Sequence, residues 1–178
     1  RIKELKKKIR PWAEQGMRVL LAASYEGEPD TGGLTEDQIH PMALILITNR
    51  LRNEAAETFR YFREQGVSIR VISGDNPVTV GAIARKVRLT GEREPVFMDA
   101  RELPANSEEL ARVLDDVDVL GRVLPDQKKA IVQALHLTDH VVAMTGDGVN
   151  DALAIKEADL GVAMGNAAPA TKAVAQVV

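Results

Sequence analysis

Along most of the chain, short apolar runs alternate with amphipathic segments. Apolar runs of strand length occur at residues 16–23, 42–47, 67–72, 117–123, 141–145 and 160–164, with a further short strand predicted near Val96. Elsewhere apolar side chains recur every three or four positions, as at Ala55, Ala56, Phe59 and Phe62, which is typical of amphipathic helices. Helices are therefore predicted at 1–15, 53–65, 77–84, 108–114, 125–137 and 166–178, and a loop at 26–40.

The order of these elements predicts the fold class. Strands and helices alternate from Val67 to Val178. Such alternation is typical of right-handed βαβ units, which build a parallel sheet with helices on its faces. We therefore predict an α/β fold.

Composition and charge narrow the class of protein. The 178 residues are 45% hydrophobic and 28% charged, which is typical of a globular domain with a real core. No apolar run approaches the roughly 20 residues of a transmembrane helix. The net charge of −3 gives no reason to expect nucleic-acid binding, and the absence of Cys excludes disulfides and thiolate metal sites. Because the chain starts without Met and ends within an apolar pattern, we expect it to be part of a longer protein.

The densest group of candidate functional side chains follows the apolar run at 141–145. Asp147, Asn150 and Asp151 lie where a buried strand passes through a tight loop into a helix. Carboxylates are ligands of the kind that Mg²⁺ selects, and N–H groups at the start of a helix favour phosphate. The simpler interpretation is a turn in which one Asp caps the helix. That interpretation accounts for one Asp only, so we predict a site for a cation and an anion together.

Two more polar loops follow predicted strands. Ser73-Gly74-Asp75 follows the strand at 67–72, and Lys128 lies in the first turn of the helix at 125–137. Taken alone, these are a capped turn and a surface lysine, although the helix dipole opposes a cation at Lys128. Loops at the carboxyl ends of parallel strands meet at one edge of the sheet, where doubly wound folds bind ligands. The predicted Mg²⁺ and phosphate site consists of Ser73, Asp75, Lys128, Asp147, Asn150 and Asp151.

Several strings resemble motifs of cation-transporting P-type ATPases, which are ion pumps of the haloacid dehalogenase (HAD) superfamily. Thr145-Gly-Asp-Gly-Val-Asn-Asp151 resembles their hinge motif, and the following string Ala158–Gly165 is also similar to that family. Ser73-Gly-Asp-Asn76 resembles their T-G-D-N phosphate-binding motif, and Ser keeps the hydroxyl of Thr. Pro125-x-x-Lys128 is similar to the motif whose Lys neutralises the phosphoryl group. The resemblance spans nearly the whole chain.

Near the N-terminus the resemblance implies contacts with a nucleotide. The string that begins at Gly16, G-x-R-V-L-x-x-A, is similar to the end of the pumps' nucleotide-binding domain, where its arginine, here Arg18, reaches the ATP phosphates. The alternative is an exposed strand arginine. Arg52 fits the D-P-x-R pattern of the interdomain hinge, but Asn49 stands where Asp is usual and Arg50 replaces Pro.

The resemblance implies a HAD-like Rossmannoid parallel sheet flanked by helices, with a small remnant of an α+β nucleotide-binding domain. Residues 1–40 would be the C-terminal part of that domain and a connecting loop, and residues 41–178 the phosphorylation domain without its nucleophile strand. In this family that strand lies between the strand ending at Ser73 and the strand ending at Thr145. Without it, these two strands pair directly, another segment fills the gap, or the region is poorly ordered.

The implied function is that of the cytoplasmic catalytic part of an ATP-driven cation pump. It would bind Mg²⁺ and the phosphoryl group while an aspartyl-phosphate forms and is hydrolysed. The implied partners are ATP and the rest of the pump's own chain with its transmembrane helices. The part described by this sequence would be soluble, at the cytoplasmic face of a multi-pass membrane protein.

The roles of the site residues also come from the resemblance. Mg²⁺ would be held by Asp147, with Asp151 as the second metal-site residue, which anchors and orients the site. Asp75 would shape its loop or meet the nucleotide. The phosphate-binding set would be Ser73, Gly74, Asp75, Lys128 and Asn150.

The family's nucleophile is missing from the chain. No Asp-Lys-x-Gly occurs in the 178 residues, so we expect the chain by itself to be inactive. Two alternatives remain at this point. A soluble HAD-type phosphatase would need its own D-x-D or D-x-x nucleophile loop on a strand near the N-terminus, and none is seen. A degenerate, non-catalytic HAD module is the other alternative, against which the intact motif at 145–151 argues.

Overall fold

The computed structural model describes residues 2–27, 36–48 and 50–178. Its N-terminal part contains helix α1 (Ile2–Glu14), strand β1 (Arg18–Tyr25) and strand β2 (Ile39–Ile47). The two strands pair antiparallel, from Arg18 opposite Ile47 to Tyr25 opposite Ile39. The connection of this hairpin falls within the predicted loop at 26–40, but residues 39 and 40 of that loop belong to β2, and residues 28–35 lie outside the described part.

The rest of the chain alternates helices and strands, as its apolar pattern predicts. The helices are α2 (Ala55–Glu64), α3 (Pro77–Lys86), α4 (Ser107–Asp116), α5 (Pro125–His136), α6 (Ala152–Glu157) and α7 (Pro169–Val174). The strands are β3 (Val71–Ile72), β4 (Phe97–Asp99), β5 (Val119–Gly121), β6 (Ala143–Gly146) and β7 (Leu160–Ala163). Short 3₁₀ turns occupy Glu36–Gln38, Ala100–Glu102 and Val149–Asp151.

Most elements differ from their predicted bounds by a few residues, and two of these differences have identifiable reasons. The strand predicted at 67–72 is reduced to β3, because Val71 and Ile72 alone find ladder partners in β5. The helix predicted at 166–178 begins only at Pro169, whose missing N–H and preset φ suit a first helical position. It ends at Val174, after which Val177 forms a bridge to Val162 of β7.

The strands of this part are parallel. β5 lies between β3 and β4, with Val119 opposite both Val71 and Phe97. β6 pairs with β7 in a second parallel ladder. Within the described residues, β3 and β6 do not pair with each other, and no strand lies hydrogen-bonded between them. Of the three arrangements expected for these strands, direct pairing is therefore not found, and neither is a described segment that fills the gap.

Helices cover both faces of the three-stranded sheet. Successive strand residues point to opposite faces, and in β5 both Val119 and Leu120 are buried. Leu120 belongs to a cluster with residues of α4, α5 and α6, whereas Val119 packs with Val80 and Ala84 of α3. The predicted α/β class, a parallel sheet flanked by helices, is confirmed. No helix among the described residues has the length and apolar character needed to span a bilayer.

The N-terminal part rests on α3. The Thr79 hydroxyl donates to the carbonyl of Met17 over 3.3 Å, and the Lys86 ammonium donates to the carbonyl of Gln15. Gly16 between them has φ +80°, a conformation that L side chains rarely adopt. β1 and β2 pair along their lengths across the proposed boundary between residues 40 and 41, and the division into two domains stays a prediction.

Candidate functional site

The centre of the candidate site is a nearly buried ion pair between α5 and the loop after β6. The Lys128 ammonium lies 2.5 Å from one carboxylate oxygen of Asp151, and both side chains are nearly buried, at 12% and 11% exposed. The other carboxylate oxygen accepts a hydrogen bond from the Gly148 N–H over 3.1 Å. Asp151 therefore ties the loop to α5, with both oxygens engaged.

Gly146 makes room for this carboxylate. A Cβ at Gly146 would lie 2.6 Å from the Asp151 Cβ and 2.7 Å from its Cγ, closer than real side-chain carbons approach. The Asp151 side chain thus packs directly against the backbone at the end of β6. The glycine is required by this close approach.

Asp147 and Asn150 differ from Asp151 in that both are exposed. Within the described ranges, neither side chain makes a hydrogen bond or an ion pair, while the backbone carbonyl of Asp147 accepts from the Ala168 N–H over 2.9 Å. The Asp147 carboxylate and the Asn150 amide oxygen are thus free to bind a ligand, and a backbone hydrogen bond fixes the position of Asp147.

These donors fit Mg²⁺ better than a metal held entirely by side chains. In the part of the chain that the structure describes, no three His, Cys, Asp or Glu side chains converge on a metal position. Mg²⁺ is usually bound through one or two carboxylates, keeps several waters and also takes phosphate oxygens. Asp147 supplies a free carboxylate of this kind. Asp151 lies four positions later in the chain, and its two carboxylate oxygens already accept hydrogen bonds from Lys128 and from the Gly148 N–H.

Hydrogen bonds join the loop after β3 to the end of β5. The Ser73 hydroxyl accepts from the Asp75 N–H over 3.1 Å. The N–H groups of Arg122 and Val123 donate to the carbonyls of Asp75 and Ser73 over 2.8 and 3.0 Å. The loops after β3 and β5 therefore meet at one edge of the sheet, as the parallel topology predicts.

The Asn76 side chain starts the helix that follows this loop. It accepts from the Val78 N–H over 2.9 Å, and Pro77 occupies the first helical position. Gly121 lets the two elements touch, because a Cβ there would lie 2.4 Å from the Pro77 Cα. The start of α3 consequently packs directly on the end of β5.

Arg18 lies next to this loop. Its guanidinium is 3.3 Å from a carboxylate oxygen of Asp75, with side chains 60% and 39% exposed. Both line a cavity of about 660 Å³, to which Gly74, Arg101 and Arg122 also contribute. The N-terminal hairpin thus brings an arginine to the candidate phosphate loop.

Arg52 is exposed beyond β2. No hydrogen bond or ion pair joins its side chain to the other candidate residues within the described ranges, and its proposed nucleotide contact stays a prediction. Asn49, the departure from the hinge pattern, lies outside the described residues.

One group beside the site was missed by sequence reasoning. Asp99, at the end of β4 and 11% exposed, pairs with both Arg101 and Arg122. Hydrogen bonds from the Arg101 guanidinium, with further ones from the Arg101 N–H and from Arg122, hold the pKa of Asp99 well below its usual range. The available signal was its position, since an acidic residue ending a parallel strand lies at the same edge as the candidate loops.

Comparison with known proteins shows to which family the chain belongs. The model of the haloacid dehalogenase-like hydrolases matches residues 3–159. The calcium-transporting ATPase CtpE of Mycobacterium bovis is 53% identical over 164 residues, covering 92% of this chain and 20% of that protein. The probable cation-transporting ATPase exp7 of Streptococcus pneumoniae is 42% identical over 166 residues, covering 93% and 21%. A calcium-transporting ATPase of Bacillus subtilis is 39% identical over 162 residues, covering 88% and 18%.

The chain therefore spans about a fifth of the length of the curated relatives it matches. These matches confirm the resemblance to cation-transporting ATPases that the motifs at 73–76 and 145–151 indicate. The family match also extends over most of the α/β architecture, from α1 to the end of α6. The chain belongs to the haloacid dehalogenase-like hydrolases.

Proposed function

We propose that this chain is the cytoplasmic catalytic part of an ATP-driven cation pump, which binds Mg²⁺ and the phosphoryl group during formation and hydrolysis of an aspartyl-phosphate. The observation that carries the proposal is the loop at 146–151. There a buried Lys128–Asp151 pair stands beside two unpaired oxygen donors, Asp147 and Asn150. Relatives named as cation- or calcium-transporting ATPases support the same function.

Lys128 has the capacity to hold the loop and an anion at once. An ammonium has three N–H donors and no acceptor, and one donor is directed at Asp151. The remaining donors and the positive charge are available to phosphoryl oxygens. Asn150 would donate its amide to the same group, with the Ser73 hydroxyl and the Gly74 N–H opposite. Fixed donors of this kind supply the charge neutralisation that phosphoryl transfer demands.

Asp147 would hold Mg²⁺, while Asp151 anchors the loop. The ion, when bound, would neutralise charge on the phosphoryl oxygens. Arg18, beside Asp75 at the rim of the cavity, would meet the ATP phosphates, and Arg52 would be a further nucleotide contact. Residues 1–40 would belong to the nucleotide-binding domain and residues 41–178 to the phosphorylation domain. The remaining partners would be the rest of the pump's chain and its transmembrane helices.

The assignment of Mg²⁺ to Asp147 predicts that substitutions of Asp147 and of Asp75 affect Mg²⁺ affinity unequally. Asp147→Ala should weaken Mg²⁺ binding by about tenfold, because it removes the one carboxylate of the loop that is free to bind the ion. Asp75→Ala should leave it within about twofold, since that carboxylate faces Arg18. A Mg²⁺ titration followed by NMR of the loop amides measures both. Equal losses at the two positions would place the metal elsewhere.

Because the nucleophile motif is absent, we expect that the chain by itself is not phosphorylated by ATP. Incubated with labelled ATP and Mg²⁺, the 178-residue chain should incorporate no hydroxylamine-sensitive phosphate, because no Asp-Lys-x-Gly is present to accept it. Adding a strand that carries that motif, as a peptide or a fusion, should raise the stability, because β3 and β6 offer unpaired edges to it within the described residues. Acid-stable, hydroxylamine-sensitive labelling of the unmodified chain would mean that another Asp is the nucleophile.

A further inference from the structure

The segment from the end of β7 into α7 is hydrogen-bonded to the loop that carries Asp147. Three consecutive carbonyls of that loop each accept one hydrogen bond from this segment. The bonds are Met164 N–H to Gly146 over 3.0 Å, Ala168 N–H to Asp147 over 2.9 Å and Thr171 hydroxyl to Gly148 over 2.8 Å. The peptide units on both sides of Asp147 are therefore held from outside the loop.

Of these three hydrogen bonds, only the bond from Thr171 depends on a side chain. The other two use backbone N–H groups, which nearly any residue supplies. Thr171 is completely buried, at 0% exposed. A buried hydroxyl must be hydrogen-bonded to be tolerated, and the structure directs this hydroxyl at Gly148 and so at the candidate site.

The Gly148 residue is fixed from two directions. Its carbonyl accepts from Thr171, and its N–H donates to the Asp151 carboxylate, which is paired with Lys128. The stretch between Asp147 and Asn150 therefore depends on two anchors. One is the ion pair with α5, and the other is the hydroxyl on α7.

We propose that Thr171 is a positioning residue for the Mg²⁺ and phosphate site, which it serves by holding the Gly148 carbonyl and thereby orienting Asp147 and Asn150. This inference rests on the proposed function of those two residues. Ligand binding to a loop that is already ordered avoids the conformational entropy loss of ordering it. Removing the hydroxyl should therefore weaken ligand binding without touching a ligand-binding side chain.

The test compares substitutions that remove or keep the hydroxyl. Thr171→Val should weaken Mg²⁺ binding by about fivefold, whereas Thr171→Ser should stay within about twofold of the unsubstituted chain. Thr79→Val is the matched control, because Thr79 is also buried, at 4% exposed, but donates to Met17 on the N-terminal part. It should lower the melting temperature and leave Mg²⁺ binding within about twofold.

Two readouts separate positioning from general stability. One is the Mg²⁺ dissociation constant from NMR titration of the loop amides. The other is hydrogen exchange of the amides at 148–151 in the metal-free chain, which should quicken in Thr171→Val and recover in Thr171→Ser. If Thr171→Val does not fold, Thr171→Ala takes its place. Comparing Thr171→Ala with Thr171→Ser still measures the loss of the hydroxyl, and it does so without introducing the valine side chain into the core.

The outcomes distinguish this inference from the proposed function. If the unsubstituted chain shows no Mg²⁺ response at Asp147 or Asn150, the proposed metal site fails and the inference fails with it. If the unsubstituted chain responds and the variants without the hydroxyl bind Mg²⁺ equally well, the inference alone is overturned. In that case Thr171 only satisfies its own hydroxyl within the core.

Discussion

Replacing Lys128 with Ala is expected to lower the free energy of unfolding by about 3 kcal/mol, because it leaves the Asp151 carboxylate buried without its cation. The Asp151 side chain is 11% exposed, and the Lys128 ammonium is 2.5 Å away. The same substitution should remove stabilisation by orthophosphate with Mg²⁺, since binding to the native state raises its stability by mass action. Urea unfolding with and without these ligands measures both effects.

Lys129 provides the matched control, because it is the neighbouring lysine on the same helix. It is 43% exposed, lies 3.6 Å from Glu157, and should contribute less than about 1 kcal/mol. Lys129→Ala should keep the response to orthophosphate. The double variant K128A/D151N should be more stable than Lys128→Ala, since it removes the unpaired charge. A larger loss from Lys129→Ala than from Lys128→Ala would contradict the assignment of the buried pair.

Gly146→Ala is expected to destabilise the chain by about 2 kcal/mol through overpacking. The added methyl would lie 2.6 to 2.7 Å from the Cβ, Cγ and one carboxylate oxygen of Asp151, so that carboxylate must move. Its displacement would disturb both the Lys128 contact and the Gly148 hydrogen bond. Thermal or urea unfolding gives the stability change, and Mg²⁺ titration should show weaker binding as well.

Gly165→Ala separates this effect from the general consequences of changing a glycine. Gly165 follows the neighbouring strand β7, and a Cβ there meets nothing within 4 Å. Its substitution should therefore change stability by less than about 0.5 kcal/mol. Similar losses from Gly146→Ala and Gly165→Ala would show that backbone freedom, and not the Asp151 contact, decides the result.

The sequence by itself determined the class of fold and indicated the loops that we propose carry the chemistry. Apolar periodicity is local, so the alternation from Val67 onward predicted parallel strands and flanking helices, which the ladders of β5 and β6 confirm. Motif strings at 73–76, 125–128 and 145–151 likewise identified the family without coordinates. The parallel topology also predicted that loops following β3 and β5 would meet, and backbone hydrogen bonds from Arg122 and Val123 join them.

Only the tertiary structure decided which candidate side chains are free and which are paired. The spacing of Asp147 and Asp151 along the chain does not indicate that the first is exposed and that the second is paired with Lys128. The Thr171 hydroxyl reaches Gly148 across 23 positions of the chain. Contacts between residues so far apart depend on how helices pack against strands, and one-dimensional periodicity carries no information about which side chains then meet.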